Sequence, residues 1–124
     1  MMKMIPLFKV RNMHDAIIFY TGILDFNLKY SEASAEDGVI DLVKENIELQ
    51  LTTHEGDYLF GSVVNIRVDE VDDLFKKYIE RGLDNSHKKE SPVHQGPTDQ
   101  TWGMREFYIT DKNGNTLRFC TTIK

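Results

Sequence analysis

The chain has 124 residues, 40% hydrophobic and 28% charged, with a formal net charge of -5 at pH 7. That length fits one compact unit with a real core, and the composition is too apolar for disorder. No run reaches the roughly 20 apolar residues of a bilayer span, no basic patch offers a surface to nucleic acid, and no basic region precedes a long apolar stretch at the start, so the expectation is a cytoplasmic protein with neither a membrane nor a nucleic acid as partner.

Residues Ile5 to Val10 read as an apolar strand, and Asn12 follows as a cap for a helix that runs through Leu24. Ala16, Ile17, Phe19, Tyr20, Ile23 and Leu24 recur at helical spacing, which gives one broad apolar side to lay on a sheet. Gly22 interrupts this pattern and, because a mid-helix glycine costs about 1 kcal/mol relative to alanine, marks a close approach or an early helix end. Three strands follow over Asn27 to Glu32, Gly38 to Lys44 and Ile47 to Thr52, with Glu45-Asn46 placed to turn the last two into a hairpin. In the third, Leu49 and Leu51 share one face and Glu48 and Gln50 the other; alternation leaves open which face lines a site.

After a bridge from Thr53 to Ser62 the order repeats. Val63 to Val68 is a strand, and a helix from about Val71 to Glu80 carries Leu74, Phe75, Tyr78 and Ile79 on one stripe. Asp69, Asp72 and Asp73 favour its N-terminal end, and Arg81-Gly82 stops it. Lys88 to Gln100, with Pro92, Gly96 and Pro97 among polar residues, reads as an irregular strand and then a mobile loop that feeds Trp102. Glu106 to Thr110 and Thr116 to Thr121 form the last hairpin, with Phe107 and Tyr108 on opposite faces.

Each half therefore reads strand, helix, then three strands. The expected fold is α+β: two βαβββ modules, about 1–54 and 61–124, in one domain over 1–124, with curved mixed sheets around a cleft and a helix outside each. A ferredoxin-like sandwich is the main rival, but it would leave one strand over in each half.

The chemistry-bearing residues are few. Cys120 is the single cysteine, can form no disulfide within the chain, and reads as a packed thiol. His14, His54, His87 and His94 show neither a helical two-histidine spacing nor a compact ligand loop. Trp102 could wall a flat or cationic ligand, anchor its loop or sit at a dimer seam, and Phe60, Tyr58, Phe107 and Tyr108 extend the aromatic supply. Glu106 is a general base if buried beside a reactive carbon, or a salt-bridge partner near Arg105.

Several segments carry a family resemblance: Phe8-Lys9-Val10-Arg11-Asn12-Met13, Ala16-Ile17-Ile18-Phe19-Tyr20 with Leu24-Asp25-Phe26, Val68-Asp69-Glu70-Val71-Asp72, and Phe107 through Phe119. In this order they resemble the vicinal oxygen chelate superfamily, the glyoxalase, bleomycin-resistance and extradiol-dioxygenase fold. Trp102-Gly103-Met104-Arg105-Glu106-Phe107 most resembles its bleomycin-resistance branch. Metal-dependent members of that superfamily place ligands on the first and last strands of each half. The resemblance carries those positions to Ile5, to Gln50 (or Glu48 after a register shift), to Val63 and to Arg118. Ile5 and Val63 cannot ligate and fit strand packing, Gln50 ligates weakly, and Arg118 has no acceptor.

The resemblance thus implies a non-catalytic protein that binds or sequesters a small molecule in a crevice of a homodimer, with exchange of the first strand common in that branch. No cofactor and no metal are expected. Trp102, Arg118, Gln50, Glu48, Phe60 and Glu106 are the candidate ligand contacts. Arg118 would take a carboxylate, phosphate or planar polar group, unless it pairs with Glu48 or faces outward. The alternatives are a metal-dependent glyoxalase-like lyase, isomerase or dioxygenase, and a structural or regulatory dimer whose cleft is filled.

Overall fold

The computed structural model describes residues 1–57, 59–86 and 90–123, which leaves Tyr58, His87, Lys88, Lys89 and Lys124 outside the description. The chain divides into two compact units, one of Met1–Ser62 with Asp111–Asn115 and the other of Val63–Thr110 with Thr116–Lys124. It is an α+β fold of two βαβββ-like modules, each with a four-stranded mixed sheet.

In the first unit β1 (Leu7–Lys9), β2 (Asn27–Leu28), β3 (Val39–Lys44) and β4 (Ile47–Thr52) lie in the order β1-β4-β3-β2. Strand β1 runs parallel to β4 with Leu7 opposite Gln50, while β3 and β4 are antiparallel and joined at Glu45-Asn46, where Glu45 adopts a positive φ of 51°. Two strands are shorter than the sequence suggests. The first begins only after Pro6, whose carbonyl accepts from the Gln50 N–H, and the second stops at Leu28 before a run of turns.

The first helix also differs from the expectation. Asn12 caps it as expected, its side chain accepting from the Asp15 N–H at 2.9 Å, but α1 (Met13–Ile17) passes into a π-helical stretch over Ile18–Ile23. The Thr21 hydroxyl donates to the Ile17 carbonyl at 2.6 Å, and the Leu24 N–H reaches back five residues to the Phe19 carbonyl. Gly22 lies inside this wider stretch with nothing within 4 Å of where a Cβ would stand, so it marks no close approach. Phe8, Tyr20, Phe26, Leu42 and Leu51 are at most 2% exposed and form the core, with Tyr20 set against Phe8, Phe19 and Phe26.

The second unit has β5 (Val63–Arg67), β6 (Thr98–Asp99), β7 (Met104–Thr110) and β8 (Thr116–Thr122) in the order β5-β8-β7-β6. Helix α2 (Val71–Glu80) has the bounds its stripe indicates and packs on β7 and β8. Phe107 and Phe119 stack with centroids 5.0 Å apart, Phe75 meets Phe107 edge-on, and Tyr78 leans on Phe119. Helix α2 stops where expected, and Gly82 follows at φ +105°, a conformation that suits glycine. The region expected to be an irregular strand and loop instead holds a single helical turn, α3 (Pro92–Gln95), and then β6. Proline at its first position explains the turn, since its fixed φ suits a helix start and its missing N–H costs nothing there.

Candidate functional site

Each sheet has one face packed on its helix and one that carries polar residues, and the register fixes which residues share the second. In the first sheet it holds Leu7, Lys9, Asp41, Glu48, Gln50 and Thr52. In the second it holds Asn65, Arg67, Glu106, Tyr108, Thr110 and Arg118, with Asn65 directly opposite Arg118 and Tyr108 opposite it on the other side. Phe107 and Tyr108 do point to opposite faces: Phe107 is fully buried and Tyr108 is not.

On the first sheet the charges satisfy one another. Glu48 accepts from Lys3 at 2.9 Å and from Lys29 at 3.0 Å, and the Lys3 and then Lys29 hydrogen bonds hold its carboxyl below the usual value. Gln50 donates from Nε2 to Asp41 at 2.7 Å. Glu48 thus has its counter-ions, Lys3 and Lys29, within its own unit. Phe60, at 37% exposure, is covered by cations, with the Arg11 guanidinium 4.0 Å and Lys9 Nζ 5.0 Å from its ring centre.

Beside this face the first unit holds a second, structural polar cluster that the sequence reading missed. The Asp111 carboxylate accepts from the Tyr20 hydroxyl at 2.8 Å, from Asn115 Nδ2 at 3.1 Å, and from the backbone N–H groups of Asn113 and Asn115. Burial, and then the Asp111 charge, push the Tyr20 phenol well above its ordinary value, so it stays a donor. Gly114, at φ +86°, makes the turn possible.

The second sheet is arranged differently. Glu106 is 6% exposed, and its carboxylate accepts from the Tyr108 hydroxyl at 2.8 Å and from the Trp102 indole N–H at 3.4 Å. It forms no salt bridge among the described residues, contrary to the pairing suggested near Arg105; Arg105 itself is taken by Asp72 and Asp99. Burial, and then the Glu106 bond, raise the Tyr108 phenol, which keeps its proton. The Arg118 guanidinium lies over the Tyr108 ring, 4.7 Å from its centre. Trp102 is 61% exposed, so its ring is a surface and not a loop anchor buried in the core. The His94 imidazole meets the Tyr108 ring edge-on and bonds Ser91 and Thr110, a placement that followed from α3 and was not visible in the sequence.

The two halves also allow the metal question to be put residue by residue. Leu7 and Asn65 each stand six residues before their helix begins, at Met13 and Val71, and each faces the last strand of its own sheet, at Gln50 and Arg118. Ile5 and Val63 do not pack as strand residues: Ile5 precedes β1 at 37% exposure and Val63 opens β5 at 54%. Leucine offers no donor atom, Gln50 and Asn65 offer only a neutral amide oxygen each, and arginine is a cation, so these residues make no carboxylate-and-imidazole set for a divalent ion. Among the described residues no three His, Cys, Asp or Glu side chains gather closely enough to hold a metal.

Two modules of this order, each a four-stranded mixed sheet with a helix on one face, define the class. A family model, the Glyoxalase/Bleomycin resistance protein/Dioxygenase superfamily, matches residues 7–119, and the chain belongs to that family. A bleomycin resistance determinant encoded on the transposon Tn5 is similar in structure at 18% identity, with a TM-score of 0.74 over 98% of each chain. The bleomycin-binding protein of Streptomyces verticillus, complexed with copper(II)-bleomycin, gives 20% identity and a TM-score of 0.69 over 100% of this chain and 97% of that one. A glyoxalase-related enzyme from Clostridium phytofermentans gives 20% identity and 0.74 over 99% and 96%. No curated protein matched.

Proposed function

We propose that this chain is a non-catalytic binding protein that sequesters a small, antibiotic-like molecule, with the polar face of the second sheet as its contact surface. One observation carries the reading: the polar face of the second sheet presents an exposed Trp102 anchored to a buried Glu106, beside an Arg118 whose guanidinium lies over the Tyr108 ring. An aromatic surface held by a hydrogen bond supplies apolar contact area at low entropic cost. Similarity in fold to proteins whose solved structures hold bleomycin or copper(II)-bleomycin supports this reading and makes bleomycin the first probe.

The working form is a homodimer in the cytoplasm, with the ligand in a crevice shared by two copies. Strand β1 is a short edge strand with Leu7 38% exposed, which is what an exchanged first strand would offer. Trp102 is the single tryptophan, so intrinsic fluorescence reads the site directly. Titration with bleomycin and a panel of polar aromatic antibiotics should give saturable quenching that persists in EDTA. A stoichiometric divalent ion in the purified protein, with turnover that depends on it, would contradict the reading. Mass in solution tests the dimer: a strictly monomeric protein at working concentration would remove the shared crevice.

A further inference from the structure

We propose that the ligand bound on this face is an oxyanion carried on a planar unsaturated ring, an aromatic carboxylate in the simplest case, and that Arg118 is the residue that selects it. The inference rests on the binding reading above and names its ligand class. Its basis is an imbalance. Arg118 Nε is buried with no hydrogen-bond partner, and among the described residues the guanidinium makes no hydrogen bond or ion pair, only its contact with the Tyr108 ring. A desolvated guanidinium N–H left unmatched is destabilising, and a fork of donors matches a carboxylate in a bidentate way.

The fork is also held in place. Tyr108 is fixed under it by donating to Glu106 at 2.8 Å, and Glu106 is fixed by that bond and by the Trp102 indole N–H. The Glu106 carboxylate is turned to Tyr108 and Trp102 and makes no hydrogen bond or ion pair with Arg118 among the described residues. Arg105, the other arginine of β7 and β8, is engaged with Asp72 and Asp99, so it does not compete. Arg67 lies on the same face as Asn65 and Arg118, is exposed, and adds a second positive charge. Trp102 then offers a ring surface on the same side, tied to the same carboxylate that orients the tyrosine beneath the fork. The chain's net acidity points to a cationic ligand, but the local charge at this face points the other way.

The test is a pair of isosteres, 2-naphthoate and 2-naphthamide, titrated against the whole protein by Trp102 fluorescence and calorimetry. Naphthoate should bind about tenfold or more tightly than naphthamide, as charge-assisted bidentate bonds imply. In Arg118→Gln that preference should collapse to near unity, and Arg118→Lys should recover part of it. Should neither variant fold, the wild type still decides: naphthoate affinity must fall with added salt while that of naphthamide does not. Equal affinity for the two compounds, or binding of neutral and cationic rings alone, overturns the oxyanion class and leaves the binding reading standing. Quenching by no member of any panel overturns both.

Discussion

The two sheets share an order of strands and a parallel register, yet their polar faces are in opposite states. On the first, Glu48 is held by Lys3 and Lys29, and Gln50 by Asp41, so these polar groups satisfy one another. On the second, the position equivalent to Gln50 is Arg118, whose guanidinium has a ring beneath it and no acceptor among the described residues. One repeat thus pairs these polar groups with one another, and the other leaves a buried donor unmatched among the described residues.

That contrast can be broken in several places, and the largest effects lie in the two cores, where the units should not differ. Phe107→Ala and Phe8→Ala each remove a side chain at most 1% exposed and should destabilise by about 3–5 kcal/mol, read by denaturant unfolding. An effect much smaller in one would mean that its core is loosely packed. Next is Asp111→Ala, which strands the Tyr20 hydroxyl and removes one of the two acceptors of Asn115 Nδ2, and should cost roughly 1–3 kcal/mol.

Smaller and more diagnostic is the pair of equivalent positions. Gln50→Leu leaves the Asp41 carboxylate without its donor and should lower stability by about 1 kcal/mol. Arg118→Met removes an unmatched buried N–H while keeping a long apolar stem over Tyr108, so thermal unfolding should show no loss or a gain. Equal losses at both would end the distinction. The smallest effect is in acid. The Glu48 carboxyl is lowered by Lys3 and Lys29, and Asp72 by Arg105, so each contribution is present above the ordinary carboxylate value and disappears as pH falls through the lowered one. Both groups are near the surface, so added salt should weaken the pH dependence, which titration calorimetry or thermal scans in low and high salt can follow.

Much of the fold was legible because it depends on local pattern. The Leu74, Phe75, Tyr78 and Ile79 stripe gave α2 its bounds, and alternation put Leu49 and Leu51 on one face of β4 and Glu48 and Gln50 on the other, of which the structure buries the leucines. The π-helical stretch was not legible, since Thr21 bonding to the Ile17 carbonyl is a choice the periodicity of apolar residues does not record. The α3 turn was hidden for the reverse reason: Pro92 reads as a breaker unless the helix begins on it. Of the site, Trp102, Arg118 and Glu106 could be named from the sequence. Their linkage through Tyr108 could not, because it rests on the β7–β8 register and on which rotamers meet. Asn65 needed the repeat itself, six residues counted back from the second helix as Leu7 is from the first.

Ligand binding on the second sheet's polar face, and not on the first, is what separates the two repeats in function if the proposal holds. The most direct measurement is amide and side-chain chemical-shift mapping on adding 2-naphthoate to the labelled protein. The account predicts shifts concentrated at the Trp102 indole N–H, the Arg118 Nε–H and the backbone of β7 and β8, with Gln50, Glu48 and Lys29 unmoved. Shifts centred on β3 and β4, or on the turn at Asp111, would contradict it.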